Sequence, residues 1–334
     1  MTKHDCNNAD LKSWVEVTSD SDFPIQNLPL GIFNAKGRQG HMGVAIGNQV
    51  LDLTVLAKNG FFEAADLPKL EVFLAGQLNA LMSLGKPVAR ALRSRVSQLL
   101  SVGNNELKGN ANVVSQALLK MSDVEMCMPF RVSDYVDFYS SIEHATNVGK
   151  MFRDETNPLL PNWKHIPIGY HGRSSSVVVS GTALHRPMGQ LKAANETNPT
   201  FAPSKEIDFE LEMGFVTGRS TALGQRIAVN EAEDYIFGLV LVNDWSARDV
   251  QRWEYVPLGP YLAKSFGTSI SPWVVSLDAL EPFRTAEPER DVEPLPYLRS
   301  TGLKNYDVEL EVFLKPAQTS ESVRISKTNF KYMY

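Results

Sequence analysis

Three stretches of the chain carry carboxylates in settings where they could hold a metal ion. The first, Asp208-Phe209-Glu210-Leu211-Glu212-Met213, alternates acid and apolar residues. In a strand, side chains two apart share a face, so Asp208, Glu210 and Glu212 line one side while Phe209, Leu211 and Met213 turn to the other. Like charges crowded on one face need water to screen them or a cation to bind them. The same pattern recurs at Asp307-Val308-Glu309-Leu310-Glu311-Val312 with no other chemistry-bearing residue beside it, so alternation by itself also describes a solvated strand face. In the second stretch the apolar run 236–242 ends abruptly in Asn243-Asp244-Trp245-Ser246-Ala247-Arg248-Asp249-Val250-Gln251. Acids just past a buried strand are held by the strand and face open space, although Asp244 also fits as the N-cap of a following helical turn. Arg248 and Gln251, three apart, share a face if that turn is helical. The third stretch sets Asp137 among aromatic residues, seven positions before His144. Convergence of Asp137, Glu210, Glu212 and Asp244 would make an all-oxygen cage, suited to calcium or magnesium rather than zinc or copper. His144 beside such an ion is a candidate general base for water.

Two glycine-bounded loops add further candidates. Residues 169–176 carry Tyr170, His171 and Arg173, and 259–268 carry Lys264, whose charge could serve an oxyanion. His41, His165 and His185 sit among ordinary strand and loop residues and are read as structural, and His4 lies in a polar tail.

The elements that must position these residues fall into two parts. From 14 to 60 the chain reads as short strands, with residues 41–46 and 50–53 flanking a Gly47-Asn48 turn. One helix is expected over 70–84. A second opens at Pro87 and places Val88, Leu92, Val96, Leu99 and Leu100 on one face. A polar stretch at 103–112 precedes a junction near 120, giving units 1–120 and 121–334. Beyond it, short apolar runs at 175–179, 236–242 and 273–276 among Tyr, Trp, Pro and Gly predict a β-rich domain with brief helices.

Composition narrows the function classes. The net charge of −5 comes with no basic run, which argues against nucleic acid as a partner. Cys6 and Cys127 form no CxxC pair, so a thiolate zinc site or disulfide framework is not expected and a cytoplasmic setting fits. No apolar stretch is long enough to span a membrane, and the polar N-terminus lacks a signal-peptide core.

Taken together, the run from Asp134 to Arg153, the stretch LLPNWKHIPIGYHGRSSS, the block DFELEMGF, the long segment NDWSARDVQRWEYVPLGPYLAKSFGTSISPW and Ser21 to Pro29 resemble the fumarylacetoacetase family, in the same order from residue 14 to the end. The resemblance implies a fold that is mainly β with some α: a small N-terminal SH3-like barrel and a mixed β-roll catalytic domain, paired as a homodimer. It implies Asp137, Glu210, Glu212 and Asp244 as ligands of Ca2+. Lys264 and Thr268 would join Asp244 around Mg2+, Lys264 ligating through its carbonyl because an ammonium has no lone pair. His144 falls on the general base, Arg248, Gln251 and Lys264 on the group stabilising the oxyanion, and Tyr139, Arg153, Gln251 and Tyr255 on positions that bind a small β-diketo acid. Asp208 and the acids at 307–311 match no functional position. The implied reaction is hydrolysis of a carbon–carbon bond in fumarylacetoacetate, closing tyrosine and phenylalanine breakdown. Acylpyruvate hydrolysis or decarboxylation on the same scaffold, or a catalytically silent metal-binding protein, are the alternatives. The chain ends at Tyr334 amid aromatic residues, whereas the resemblance implies a further segment with a Gly-rich substrate loop and a glutamate that orients His144. The chain as given is therefore expected to be weakly active or inactive.

Overall fold

An antiparallel meander opens the fold in the computed structural model, which describes residues 4–153 and 155–334. Strands β1 (Leu30–Ala35), β2 (Arg38–Ile46) and β3 (Gln49–Asp52) are joined at one end by Gly47, whose φ of 55° favours glycine. A Cβ at that position would also lie 2.5 Å from the Glu16 carbonyl oxygen. Strands β4 (Leu118–Lys120) and β5 (Glu125–Cys127) complete one sheet in the order β4-β3-β2-β1-β5. The final strand lies past the expected junction at 120.

Between β3 and β4 run helices α1 (Leu53–Lys58), α2 (Leu70–Phe73), α3 (Asn79–Ser83), α4 (Lys86–Leu100) and α5 (Ala111–Ala117). Leu53, expected in a strand, starts α1 because Asp52 caps that helix, its Oδ1 accepting the Val55 N–H at 2.9 Å. The single helix expected over 70–84 is two. Gly76 adopts a φ of 70°, and the Leu78 N–H turns away to donate to the Pro129 carbonyl at 2.8 Å. The apolar stripe of α4 is buried at Leu92, Val96, Leu99 and Leu100. Thr54, also buried, accepts the Met42 N–H and donates to the Phe73 carbonyl, fastening α1 between β2 and α2.

The second half supplies the site. Its elements are β6 (Val136–Phe138), α6 (Ile142–Phe152), β7 (Gly169–His171), β8 (Val177–Val179), β9 (Met188–Leu191), β10 (Thr200–Pro203), β11 (Ile207–Asp208), β12 (Leu211–Thr217), β13 (Ile236–Asp244) and β14 (Ser246–Ala247), followed by α7 (Arg248–Glu254), α8 (Leu262–Ser265), β15 (Thr268–Ile270) and β16 (Val275–Ser276). The central sheet runs β12-β13-β15-β8, with β15 and β8 parallel and β16 also paired to β13. Beyond it, β17 (Arg284–Thr285) pairs with β18 (Asn305–Tyr306), and β19 (Glu309–Leu314) pairs with β20 (Val323–Asn329).

One hydrophobic core crosses the two halves. Ile32, Met42, Leu56 and Leu81 belong to the same buried cluster as Val216, Val240, Val242 and Val274. Leu30 and Val274 exchange both backbone hydrogen bonds, and a Cβ at Gly31 would lie 2.8 Å from the Trp273 ring. Strands and helices interleave along the chain, so the architecture is mixed α/β. Among the described residues no closed barrel forms, since β4 and β5, at the two ends of the sheet, do not pair with one another. No described helix is long and apolar enough to cross a membrane.

Fully buried Asp52 also takes Arg38 Nη1 at 2.8 Å and His41 Nδ1 at 2.7 Å on its Oδ2. Replacing it with alanine removes a helix cap and leaves the Arg38 guanidinium and the His41 ring without their partner. Asp52→Ala is expected to lower stability by about 3 kcal/mol, measured by urea denaturation; a loss below about 0.5 kcal/mol would mean the cluster is solvated.

Candidate metal centre and catalytic site

The register of the central sheet delivers the acids. The apolar length of β13 is buried between neighbours and ends in Asp244, which is 1% exposed and stands directly opposite Thr268 of β15. Thr268 Oγ1 donates to Asp244 Oδ1 at 3.0 Å. The cap alternative for Asp244 does not hold: the N-cap of α7 is Ala247, with no side-chain bond. Asp137, in the middle of β6, faces Tyr170 of β7, and the strands close up at Gly169, where a Cβ would lie 2.5 Å from the Asp137 carbonyl oxygen.

The stretch from Asp208 to Met213 is not the single strand its alternation predicts. β11 pairs with β14 and β12 with β13, and the two ladders part at Phe209 and Glu210 on one side and Trp245 on the other. The break is bridged by the Glu210 N–H donating to Asn243 Oδ1 at 3.2 Å and the Asp244 N–H donating to the Glu210 carbonyl at 3.3 Å. Even so, Asp137, Glu210, Glu212 and Asp244 each present an oxygen within 4.8 Å of the others.

Charge balance at this cluster is incomplete. Lys264 Nζ donates to Glu210 Oε2 at 2.5 Å and to Asp244 Oδ2 at 2.7 Å, and Arg248 Nη2 donates to Glu210 Oε1 at 2.8 Å. Four carboxylates against two cations leave two formal negative charges in a buried space. Burial, then Asp244, pushes Asp137 up to about 7, and burial, then Asp137 and Glu210, pushes Glu212 up to about 10. Glu210 goes the other way: burial opposes its ionisation, but His144, Lys264 and Arg248 together hold it below the usual carboxylate range. The hydroxyl of Tyr135, raised by burial and by these acids, is buried with no hydrogen-bond partner. Donors that are all oxygen, an excess of two negative charges and an orphan hydroxyl fit a hard divalent cation.

His144 sits in the first turn of α6, where the N-cap Ser141 accepts its backbone N–H. Its Nε2 lies 3.2 Å from Glu210 Oε1, and its ring meets Tyr139 edge-on at 5.8 Å. Arg248 and Gln251 share a face of α7, as their spacing predicts. Arg248 Nη1 donates to Gln251 Oε1 at 3.0 Å, so the Gln251 amide N–H groups are left to point elsewhere. Tyr139, Arg153 and Tyr255 gather at α6: Arg153 bonds Tyr139, the Tyr139 hydroxyl donates to the Ala145 carbonyl, and the Tyr255 ring packs on Phe152 at 5.6 Å. Lys264, expected to ligate through its carbonyl, meets the acids with its ammonium.

Several positioning contacts lie outside the residues singled out by sequence. Asp208 Oδ2 accepts Arg248 Nε at 2.9 Å, and the i,i+2 spacing to Glu210 was its signal. Asp249 holds Ser204 Oγ and the Lys205 N–H, and Glu254 holds the Tyr261 and Ala263 N–H groups at 2.8 Å each, tying α8 to α7. No local pattern announces those two. The Tyr170 hydroxyl donates to Asp244 Oδ2 at 3.3 Å. The acids of 307–311 behave as a solvated face: Asp307 pairs with Lys331, Glu309 with Lys327 and Glu311 with Arg324. His41 is taken up by Asp52.

Comparison with known proteins adds an independent line. Residues 26–129 match the family model for the fumarylacetoacetase N-terminal domain, and 134–331 match that for the fumarylacetoacetate (FAA) hydrolase C-terminal domain. Fumarylacetoacetase of Dictyostelium discoideum is 51% identical over 97% of this chain and 76% of its own length. The Caenorhabditis elegans protein of that name is 51% identical over 97% and 78%, and the Homo sapiens one 48% identical over 96% and 77%. The solved fumarylacetoacetate hydrolase from psychrophilic Exiguobacterium antarcticum, 15% identical with a TM-score of 0.41 over 75% of this chain and 67% of that one, is too distant to add to these matches.

Because Asp137 and Glu212 hold protons more tightly when folded than when unfolded, the metal-free protein loses stability as pH rises from the ordinary carboxylate range through about 7. A divalent cation favours the deprotonated acids and reverses that loss. Thermal melts with a chelator at about pH 5 and about pH 8 should show the lower midpoint at the higher pH, and millimolar Ca2+ or Mg2+ should raise it there most. Midpoints indifferent to both ions would remove the case for an ion site.

Proposed function

The chain belongs to the fumarylacetoacetase family, and from that premise we propose that its acidic centre and His144 hydrolyse the carbon–carbon bond of fumarylacetoacetate to give fumarate and acetoacetate. The observation that carries the assignment of roles is the imidazole Nε2 set 3.2 Å from Glu210 in a cluster of four convergent carboxylates. Asp137, Glu210, Glu212 and Asp244 hold the cation, for which we assign Ca2+, with Mg2+ beside Asp244, Lys264 and Thr268. Bound there, a hard divalent cation supplies Lewis acidity toward the oxygens of the diketone.

The protein's own side chains do the rest. His144 takes a proton from the attacking water, its ring fixed by Glu210 and by the Tyr139 edge. The negative charge that develops on the attacked carbonyl oxygen meets the free amide N–H groups of Gln251, the charge of Arg248 and the Lys264 ammonium, all set before reaction. Tyr139, Arg153 and Tyr255 form a polar wall for a substrate carboxylate, with Gln251 at its edge. Asp208 acts through Arg248. By taking Nε, it turns the guanidinium so that Nη1 reaches Gln251 and Nη2 reaches Glu210. Addition of water and departure of the carbon leaving group need one proton removed and one returned, and His144 can serve both steps.

The N-terminal sheet is read as the SH3-like unit, supported by an order in which the last strand returns beside the first. The following residues form the β-roll unit, with the division drawn after Cys127. A homodimer is the assembly assigned, supported by the exposed Phe215 and Leu241 on the central sheet and the exposed Phe138 of β6 against Phe215, and the cytoplasm is the assigned setting. The match to both family models favours this reaction over acylpyruvate hydrolysis or decarboxylation.

Loss of diketone absorbance tests the reading directly. His144→Ala is expected to lower kcat by at least about 100-fold with ion binding retained; unchanged turnover would rule out its role as base. Asp208→Asn should cost about 10-fold in kcat/KM. The variant's melt should stay near wild type, since that carboxylate is half-exposed.

A further inference from the structure

A cavity of about 400 Å3 lies against Asp244, Lys264 and Thr268 and does not touch His144, Tyr139, Arg153 or Tyr255. His144 contacts Glu210, Lys264 bridges Glu210 and Asp244, and Asp244 takes the Tyr170 hydroxyl, so this space adjoins the centre through Asp244 and Lys264 and not through the base. Its wall is rich in donors that nothing else uses. Among the described residues the Arg173 guanidinium has no hydrogen-bond or ion-pair partner, and its one contact is the face of Tyr261, 5.9 Å from the ring centroid. Among the described residues the hydroxyls of Ser174, Ser175 and Ser265 bond to no side chain or backbone group, and the Tyr135 hydroxyl is the orphan described above.

The wall is also braced. Glu254 holds the Tyr261 backbone, and Gly172 lets the Tyr135 ring approach so closely that a Cβ would lie 2.3 Å from it. An unpaired guanidinium beside free hydroxyls in a concave, braced space recognises a carboxylate. Fumarylacetoacetate has one at each end, and the Tyr139, Arg153 and Tyr255 wall accounts for only one.

We propose that this cavity is a second carboxylate subsite and that Arg173 selects β-diketones acidic at both ends. The inference rests on the hydrolysis proposed above. It assigns the fumaroyl carboxylate to Arg173 and the acetoacetyl carboxylate to Arg153.

The test compares wild type, Arg173→Ala and Arg173→Lys on fumarylacetoacetate and on an analogue with a methyl group in place of the fumaroyl carboxylate. Arg173→Ala should lower kcat/KM for the dicarboxylate by about 10- to 100-fold, the worth of one charge-assisted pair. The analogue should change less than about twofold, and lysine should restore part of the loss. Binding of fumarate alone, by calorimetry on the ion-loaded protein, should weaken by a similar factor in Arg173→Ala. Equal losses on both substrates, or none on either, would overturn the subsite and leave Arg173 a solvated arginine. Should wild type hydrolyse neither compound, the proposed reaction fails for the chain as given, and fumarate affinity alone then decides the subsite: a loss in Arg173→Ala upholds it and no loss overturns it.

Discussion

Electrostatic repulsion among four carboxylates, three of them buried, is the constraint around which this molecule is arranged. Asp137, Glu210, Glu212 and Asp244 cannot all be charged and dry without compensation. Each compensating group comes from a different place in the chain: Arg248 from the start of α7, Lys264 from α8, and His144 from the first turn of α6. The same groups are the ones a hydrolysis of this kind needs, because a site that must tolerate excess negative charge already has its cations and donors fixed in place.

Backbone pairing converts that requirement into geometry. β13 sits at the centre, and its last residue is the deepest acid. Its partners on either side bring Glu212 and Thr268 to the same end, while the break at Glu210 frees that carboxylate to reach Lys264, Arg248 and His144 at once. A continuous strand through Asp208 to Glu212 would space its acids evenly along one face. The interruption gathers them instead.

Much of the centre was legible in sequence because the relevant signals are local. An acid two positions from another, an apolar run that stops at an acid, and a histidine seven residues past an aspartate each point to a side chain, and all four acids and the imidazole converge. The repeated pattern at 307–311 served as an internal control, and it pairs with surface lysines and an arginine. What stayed hidden depends on contacts distant in sequence. Glu254 matters through the N–H groups of Tyr261 and Ala263, Asp249 through Ser204, and Tyr135 through Gly172, just past β7. The helix expected over 70–84 failed for a related reason: apolar spacing continues through Gly76, but a left-handed backbone and a bond to Pro129 turn the chain. The first half is an open sheet because its end strands do not pair, and periodicity does not mark which distant strands meet.

The shared core also has a genetic meaning. Since Leu30 is bonded to Val274 and Gly31 lies against Trp273, the amino-terminal sheet is a structural wall for the strands that carry the chemistry, and damage to one half is felt in the other. A lesion around Ile32 or Met42 would reach catalysis without touching any reacting atom, by thinning the population of correctly folded molecules while each survivor turns over at its normal speed. An allele at Asp244 would differ in kind, because it takes an oxygen of the acidic centre from every molecule made.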